Sequence, residues 1–158
     1  MKNNRGFTLI ELLAVIVVLA IVMVLAATTV LPYMGDAREN AFKIEATNVV
    51  TAAESAKDLY AIGKVSMNAD STKSCTAGTT MCFTVDELIS LGIYEADAAT
   101  FYGKVVISNY NTNTPTYTLH LKKNDEFSII GGTGKDYSDY SGTLTGTWPA
   151  DGATCSCS

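Results

Sequence analysis

The run of 25 residues from Phe7 to Leu31 contains one charged side chain, Glu11, and is otherwise dominated by Leu, Ile, Val and Ala. As a helix rising about 1.5 Å per residue it would reach roughly 37 Å, more than the approximately 30 Å of a bilayer's hydrocarbon core. It can therefore cross a membrane with tilt to spare. An acidic side chain in such a helix costs up to about 3 kcal/mol at the bilayer centre and less near the end, where Glu11 sits, so a carboxylate kept there points to a use. A cleaved secretory leader would explain Lys2, Arg5 and the small residues Ala26 and Ala27. It does not explain Glu11 at the start of the apolar stretch, or the stretch's length. A plain signal anchor for an unrelated outer domain is the other bland reading.

The residues around that carboxylate are Gly6-Phe7-Thr8-Leu9-Ile10-Glu11-Leu12-Leu13, preceded by Arg5. This stretch resembles the class-III signal of type IV prepilins and of the related pseudopilins of type II secretion: a short basic leader ending in glycine, then Phe-Thr-Leu-Ile-Glu-Leu. The match is without substitution, and it joins a small residue at a cut site, a charge at a fixed offset and a full membrane span. The close resemblance ends at about residue 35.

The resemblance implies a leader of residues 1–6, cut by a prepilin peptidase between Gly6 and Phe7 on the cytoplasmic side, and N-methylation of Phe7. Glycine suits the cut because a side chain there would crowd the peptidase. It also implies that Glu11 pairs with the terminal amine of a neighbouring subunit during assembly. Electrostatics agrees: in low dielectric an unpaired carboxylate and an unpaired ammonium are each costly, and a charge-assisted pair offsets both penalties. The implied partners are identical subunits in a helical filament, the peptidase, an assembly platform, and the inner or plasma membrane that holds the single-pass protein before it joins an extracellular pilus.

Of 158 residues, those left after the span suffice for one head domain with a modest core. The formal charge is −5, and loss of Lys2 and Arg5 with the leader makes it −7. An acidic chain offers no basic footprint for nucleic acid; pili of this family can take up DNA, but Lys122-Lys123 is too small a patch to support a contact. Cys75, Cys82, Cys155 and Cys157 lie beyond the span, and an even count in a translocated domain favours disulfides. Their spacings do not fit a zinc ribbon. Asp136, Asp139 and Asp151 lack the dense alternation and loop glycine of a calcium loop. No metal or cofactor is expected.

After the span, Pro32 to Gly35 predict a break in the helix, because proline removes a donor and clashes with the preceding turn. The family often has its helix-breaking proline one turn earlier, where this chain has Thr28. Asp36 and Glu39 resemble a capping box. Phe42, Ala46, Val49, Ala53, Ala56 and Tyr60 then recur at spacings of four and three, the stripe of an amphipathic helix over 36–62. The small residues Ala52, Ala53 and Ala56 would also let a neighbouring helix approach closely. Residues 63–85 read as a loop, within a connecting region of 63–100 that carries a short helix from Val85, stopped by Gly92. Three antiparallel strands are expected at Tyr102–Tyr110, Thr116–Lys123 and Glu126–Ile130.

Alternation in the second strand puts Tyr117, Leu119 and Leu121 on one face and His120 on the other, facing solvent. Gly131-Gly132-Thr133-Gly134-Lys135 fails as a phosphate loop, since Asp136 stands where Ser or Thr is needed, and reads as a flexible turn. Residues 132–158 form a polar C-terminal loop. Bonding Cys155 to Cys157 would close an uncomfortably small ring. Both would then bond back to Cys75 and Cys82 in one of two crossed pairings, with a local Cys75–Cys82 bridge as the alternative.

The expected fold is α+β: a long N-terminal helix, its membrane and filament-core part at 7–35 and its amphipathic part in the head at 36–158, packed on an antiparallel sheet of three to four strands (101–131) with a disulfide-stapled C-terminal region. The expected function is a structural pilin, not an enzyme, serving adhesion, motility or DNA uptake. A pseudopilin or minor pilin of a secretion or competence machine is the alternative within the superfamily. A membrane-anchored enzyme or binding domain is the alternative outside it, and the chain shows no catalytic constellation to support that.

Overall fold

The computed structural model of the chain describes residues 7–67, 72–140 and 147–156, with the backbone alone for 29–32. It divides into two compact units, Met1–Glu39 and Asn40–Ser158. The helix α1, Leu9–Ala61, supplies most of the first unit and continues into the second. In the first unit the large apolar side chains from Leu9 to Leu25 are all exposed, Leu9 to 82% and Leu25 to 64%. Among the described residues nothing covers them.

The break expected at 32–35 does not occur, because α1 carries Pro32 and Gly35 in its interior. One proline removes a single donor from the ladder, and helix propagation is favourable once a nucleus exists on either side. Asp36 and Glu39 accordingly lie mid-helix and cap nothing.

In the second unit, α1 buries the expected stripe. Phe42, Ala46, Val49, Ala53 and Ala56 are fully buried, joined by Val50 and Ala52, while Tyr60 is partly buried against the same core. Ala52, Ala53 and Ala56 are thus spent on packing within the chain, and are not a surface for a neighbouring helix. They let the helix lie close to the sheet, while Phe42 supplies bulk. Its ring stacks on Phe127 at 5.6 Å and meets Phe101 edge-on at 6.4 Å.

Five antiparallel strands follow in sequential order: β1 (Ser74–Ala77), β2 (Thr80–Thr84), β3 (Phe101–Ser108), β4 (Thr116–Lys123) and β5 (Phe127–Thr133). The strands β3 and β4 fall where expected. The hairpin of β1 and β2 occupies a region read as loop. Its two-residue turn, Gly78-Thr79, has glycine at φ 57°, the kind of position that favours Gly in tight hairpins. Between β2 and β3 the short helix α2 (Val85–Ser90) is capped by Thr84, whose Oγ1 accepts from Glu87 N at 3.2 Å, and ends at Gly92 with φ 69°.

The predicted flexible turn at Gly131-Gly132 is instead part of β5. Opposite His120, β5 places Ile130 and Gly131 where β4 has one residue, and the φ of 66° at Gly131 accommodates this bulge. Gly132 lies against Tyr137, where a Cβ would come within 2.7 Å of the ring. At Gly103 a Cβ would run into the backbone oxygen of His120. Glycine at that point is what lets β3 and β4 keep their register.

Along β2 and β3, Met81, Phe83, Phe101, Val105 and Ile107 point into the core with α1. The alternate residues Cys82, Tyr102, Lys104 and Val106 face the other way. Over that outer face lies the tail 147–156. Trp148 meets Tyr102 edge-on at 5.6 Å, Lys104 bonds to the tail, and Cys82 is disulfide-bonded to Cys155. The bond spans a sequence separation of 73, a loop whose closure restrains the unfolded chain by roughly 4 kcal/mol in the entropic account.

Candidate functional site

The exposed apolar helix begins at a built terminus. Thr8 precedes the first helical residue, and Glu11 stands three positions later. The Thr8 backbone N and Oγ1 each donate to Glu11 Oε2 at 2.9 Å, and Glu11 N donates back to Thr8 Oγ1 at 3.4 Å. This is a reciprocal capping box, in which each side chain satisfies a backbone donor that the helix start leaves without an intrahelical acceptor. The Thr-x-x-Glu pattern beside the apolar run is the signal in the sequence that marks this cap, whereas the similar Asp36–Glu39 pair caps nothing.

The cap fixes where the carboxylate points. Glu11 lies in the first turn of α1, where a negative charge interacts favourably with the helix dipole. A carboxylate offers about four lone-pair sites, so two local donors leave acceptor capacity for a third group. Phe7, just before the cap, is 88% exposed. Gly6 lies outside the described residues.

Residues 1–27 match the family model described as the prokaryotic N-terminal methylation motif. The chain carries a class-III signal. The motif is characteristic of type IV pilins and pseudopilins, and it implies a structural subunit. No curated protein and no solved structure matches the chain. Among the described residues, α1 is the one helix long and apolar enough to cross a membrane.

The other predicted sites resolve differently. Cys82 bonds Cys155, and Cys75 is also disulfide-bonded, so the local Cys75–Cys82 bridge is not formed. Cys157 lies outside the described residues. Sulfurs held in disulfides are not available as thiolate ligands for zinc. Cys75 and Cys82 face each other across the hairpin, so the staple is set by where the tail runs and not by proximity within the hairpin. Of the three carboxylates considered for calcium, two are engaged elsewhere: Asp136 accepts from Ser138 N at 2.9 Å and Asp151 pairs with Lys104. Among the described residues no group of three His, Cys, Asp or Glu gathers.

His120 points away from α1 as expected, and it is partly buried where the expectation had it facing solvent. Its Nδ1 is buried without a partner among the described residues. A cleft of about 330 Å³ beside α1 is lined by Glu45, Tyr94, Glu95, Asp97, Phe101 and Lys123. Glu45 accepts two bonds from Lys123 Nζ, at 2.7 and 2.8 Å, and Asp97 accepts from Ala99 N. Burial and the Glu45 charge push the Tyr94 phenol up to about 12, so it stays protonated. Glu45 and Lys123 neutralise each other, and the described lining residues present no paired acid and base.

Proposed function

We propose that the chain is a subunit of a type IV pilus. A prepilin peptidase cuts it between Gly6 and Phe7, the new amine of Phe7 is N-methylated, and α1 holds the protein in the membrane until it joins a filament of identical subunits at the cell surface. The observation that carries this reading is the methylation motif at 1–27 together with a helix whose large apolar side chains from Leu9 to Leu25 are exposed. Those side chains need an apolar surrounding in both states. Lipid provides it first, and neighbouring α1 helices provide it afterwards.

Burial alone does not drive the transfer, because lipid is already apolar and helices in it gain little from the hydrophobic effect. Close packing and a charge pair must supply the preference. Glu11 is the residue for that pair: it keeps acceptor capacity at the helix start for the Phe7 amine of a neighbouring subunit.

The test is electron microscopy of filaments sheared from cells, with mass spectrometry of their subunits. Long surface filaments composed mainly of this chain are expected. Short, envelope-confined assemblies with the chain absent from the sheared fraction would assign it to the pseudopilins instead.

A further inference from the structure

On the outer face of the sheet, Lys104 is buried to 7% exposure, and its ammonium group is held wholly by the tail. Lys104 Nζ donates to Asp151 O at 2.8 Å, Thr154 O at 2.9 Å and Asp151 Oδ2 at 3.3 Å. An ammonium has three donors, so all three are used. At one end of this segment Trp148 packs on Tyr102, with Gly152 so close beneath it that a Cβ would lie 2.6 Å from the indole. At the other end Cys155 is bonded to Cys82, and its backbone N donates to Thr72 O at 2.7 Å.

His120 is the β4 residue paired in register with Lys104. It shares the outer face with Lys104, near enough to the tail for the Asp151 charge to act on it, and its buried Nδ1 has no hydrogen-bond partner among the described residues. The charged groups that act on it are Lys104 from β3 and Asp151 from the tail. On β5 the opposing bulge, Ile130-Gly131, brings no ionisable group. On its own strand Lys122 is turned to Asp125, at 2.7 Å, and to the Tyr102 ring.

We propose that residues 147–156 form an acid-loosened strap over the outer face of the sheet, with His120 as the proton-sensing group. A second proton on the imidazole places a cation opposite the buried Lys104 ammonium, at a partly buried position, while the strap is down. The Asp151 carboxylate offsets only part of this, since Lys104 already occupies it. When the strap lifts, both cations gain water, while the Cys82–Cys155 bond keeps the segment tethered.

Burial and the Lys104 charge hold His120 below its ordinary value of 6.5, with Asp151 opposing. The open form therefore binds the proton at higher pH than the strapped form does. Strap stability is complete above about pH 6.5 and declines as the pH falls through the window below it. Asp151 is held below the usual carboxylate range by Lys104, so it stays charged across that window.

The chain has one tryptophan and one histidine, so each reports on this site alone. The experiment follows acrylamide quenching of Trp148 and the His120 imidazole resonances across pH 8 to 4, on the full-length protein in detergent micelles with disulfides intact. Quenching is expected to rise on acidification with a midpoint below 6.5 that coincides with the imidazole titration, and to stay flat in His120→Gln. A flat wild-type quenching profile, a rise that persists in His120→Gln, or an imidazole midpoint above 6.5 each overturns the proposal. Should His120→Gln not fold, the coincidence or separation of the two wild-type midpoints decides.

Discussion

A Glu11→Val protein is expected to be cleaved and to remain in the membrane, yet to yield few or no filaments. Removing one partner of a buried charge pair costs about 3–5 kcal/mol, because the other charge is left uncompensated. Even the lower figure corresponds to roughly a hundredfold in the equilibrium for each subunit added. The structure makes a sharper version possible. Glu11 also accepts from Thr8 in the capping box, so valine removes a local cap as well as a charge, and its effect alone does not separate the two. Glutamine does, since Gln serves in a capping box as Glu does but carries no charge. Glu11→Gln is expected to keep the helix start and still lose filaments in a quantified shear assay. Full filament yield from Glu11→Gln would reduce Glu11 to a cap.

The second large effect is expected in the head. Phe42→Ala should lower stability by about 3–5 kcal/mol, a large share of the roughly 5–15 kcal/mol typical of a domain. Phe42 is fully buried, and its ring lies between Phe127 and Phe101, the latter at the start of β3. The cavity would open where helix and sheet meet, and the alanines that follow on α1 are too small to fill it. Ile44 on the same helix is 56% exposed, and Ile44→Ala is expected within about 0.5 kcal/mol of wild type. Denaturant titration of the detergent-solubilised proteins checks both. A Phe42→Ala midpoint equal to that of Ile44→Ala would mean that the stripe does not carry the core.

The helical stripe, β3, β4 and α2 were legible because each rests on local signals: spacings of four and three from Phe42, alternation through Tyr117, Leu119 and Leu121, and the stop at Gly92. The hairpin β1–β2 was not, because Ser74–Ala77 and Thr80–Thr84 are short, polar in part and rich in cysteine. They are strands because β3 offers β2 an edge, and that is a tertiary fact. The glycines after Ile130 misled for a related reason, since a bulge and a turn call for the same residue. Pro32 gave a strong local signal that propagation of the surrounding helix overrode. At the terminus, the sequence showed Glu11 to be out of place, but its bond to Thr8 depends on where the helix begins. His120 was placed on the correct face but is partly buried there, and nothing local shows that a tail more than twenty residues further along the chain folds back onto that face at Lys104, Tyr102 and Cys82. The disulfide partner of Cys82 follows from the same path.

The central claim is that residues 1–27 are a working class-III signal, and intact mass with N-terminal sequencing of the cell-associated protein tests it most directly. The account predicts a mature chain that starts at N-methylated Phe7 and lacks residues 1–6. A protein that retains Met1, or one that starts near Ala27 as a secretory leader would leave it, contradicts the account.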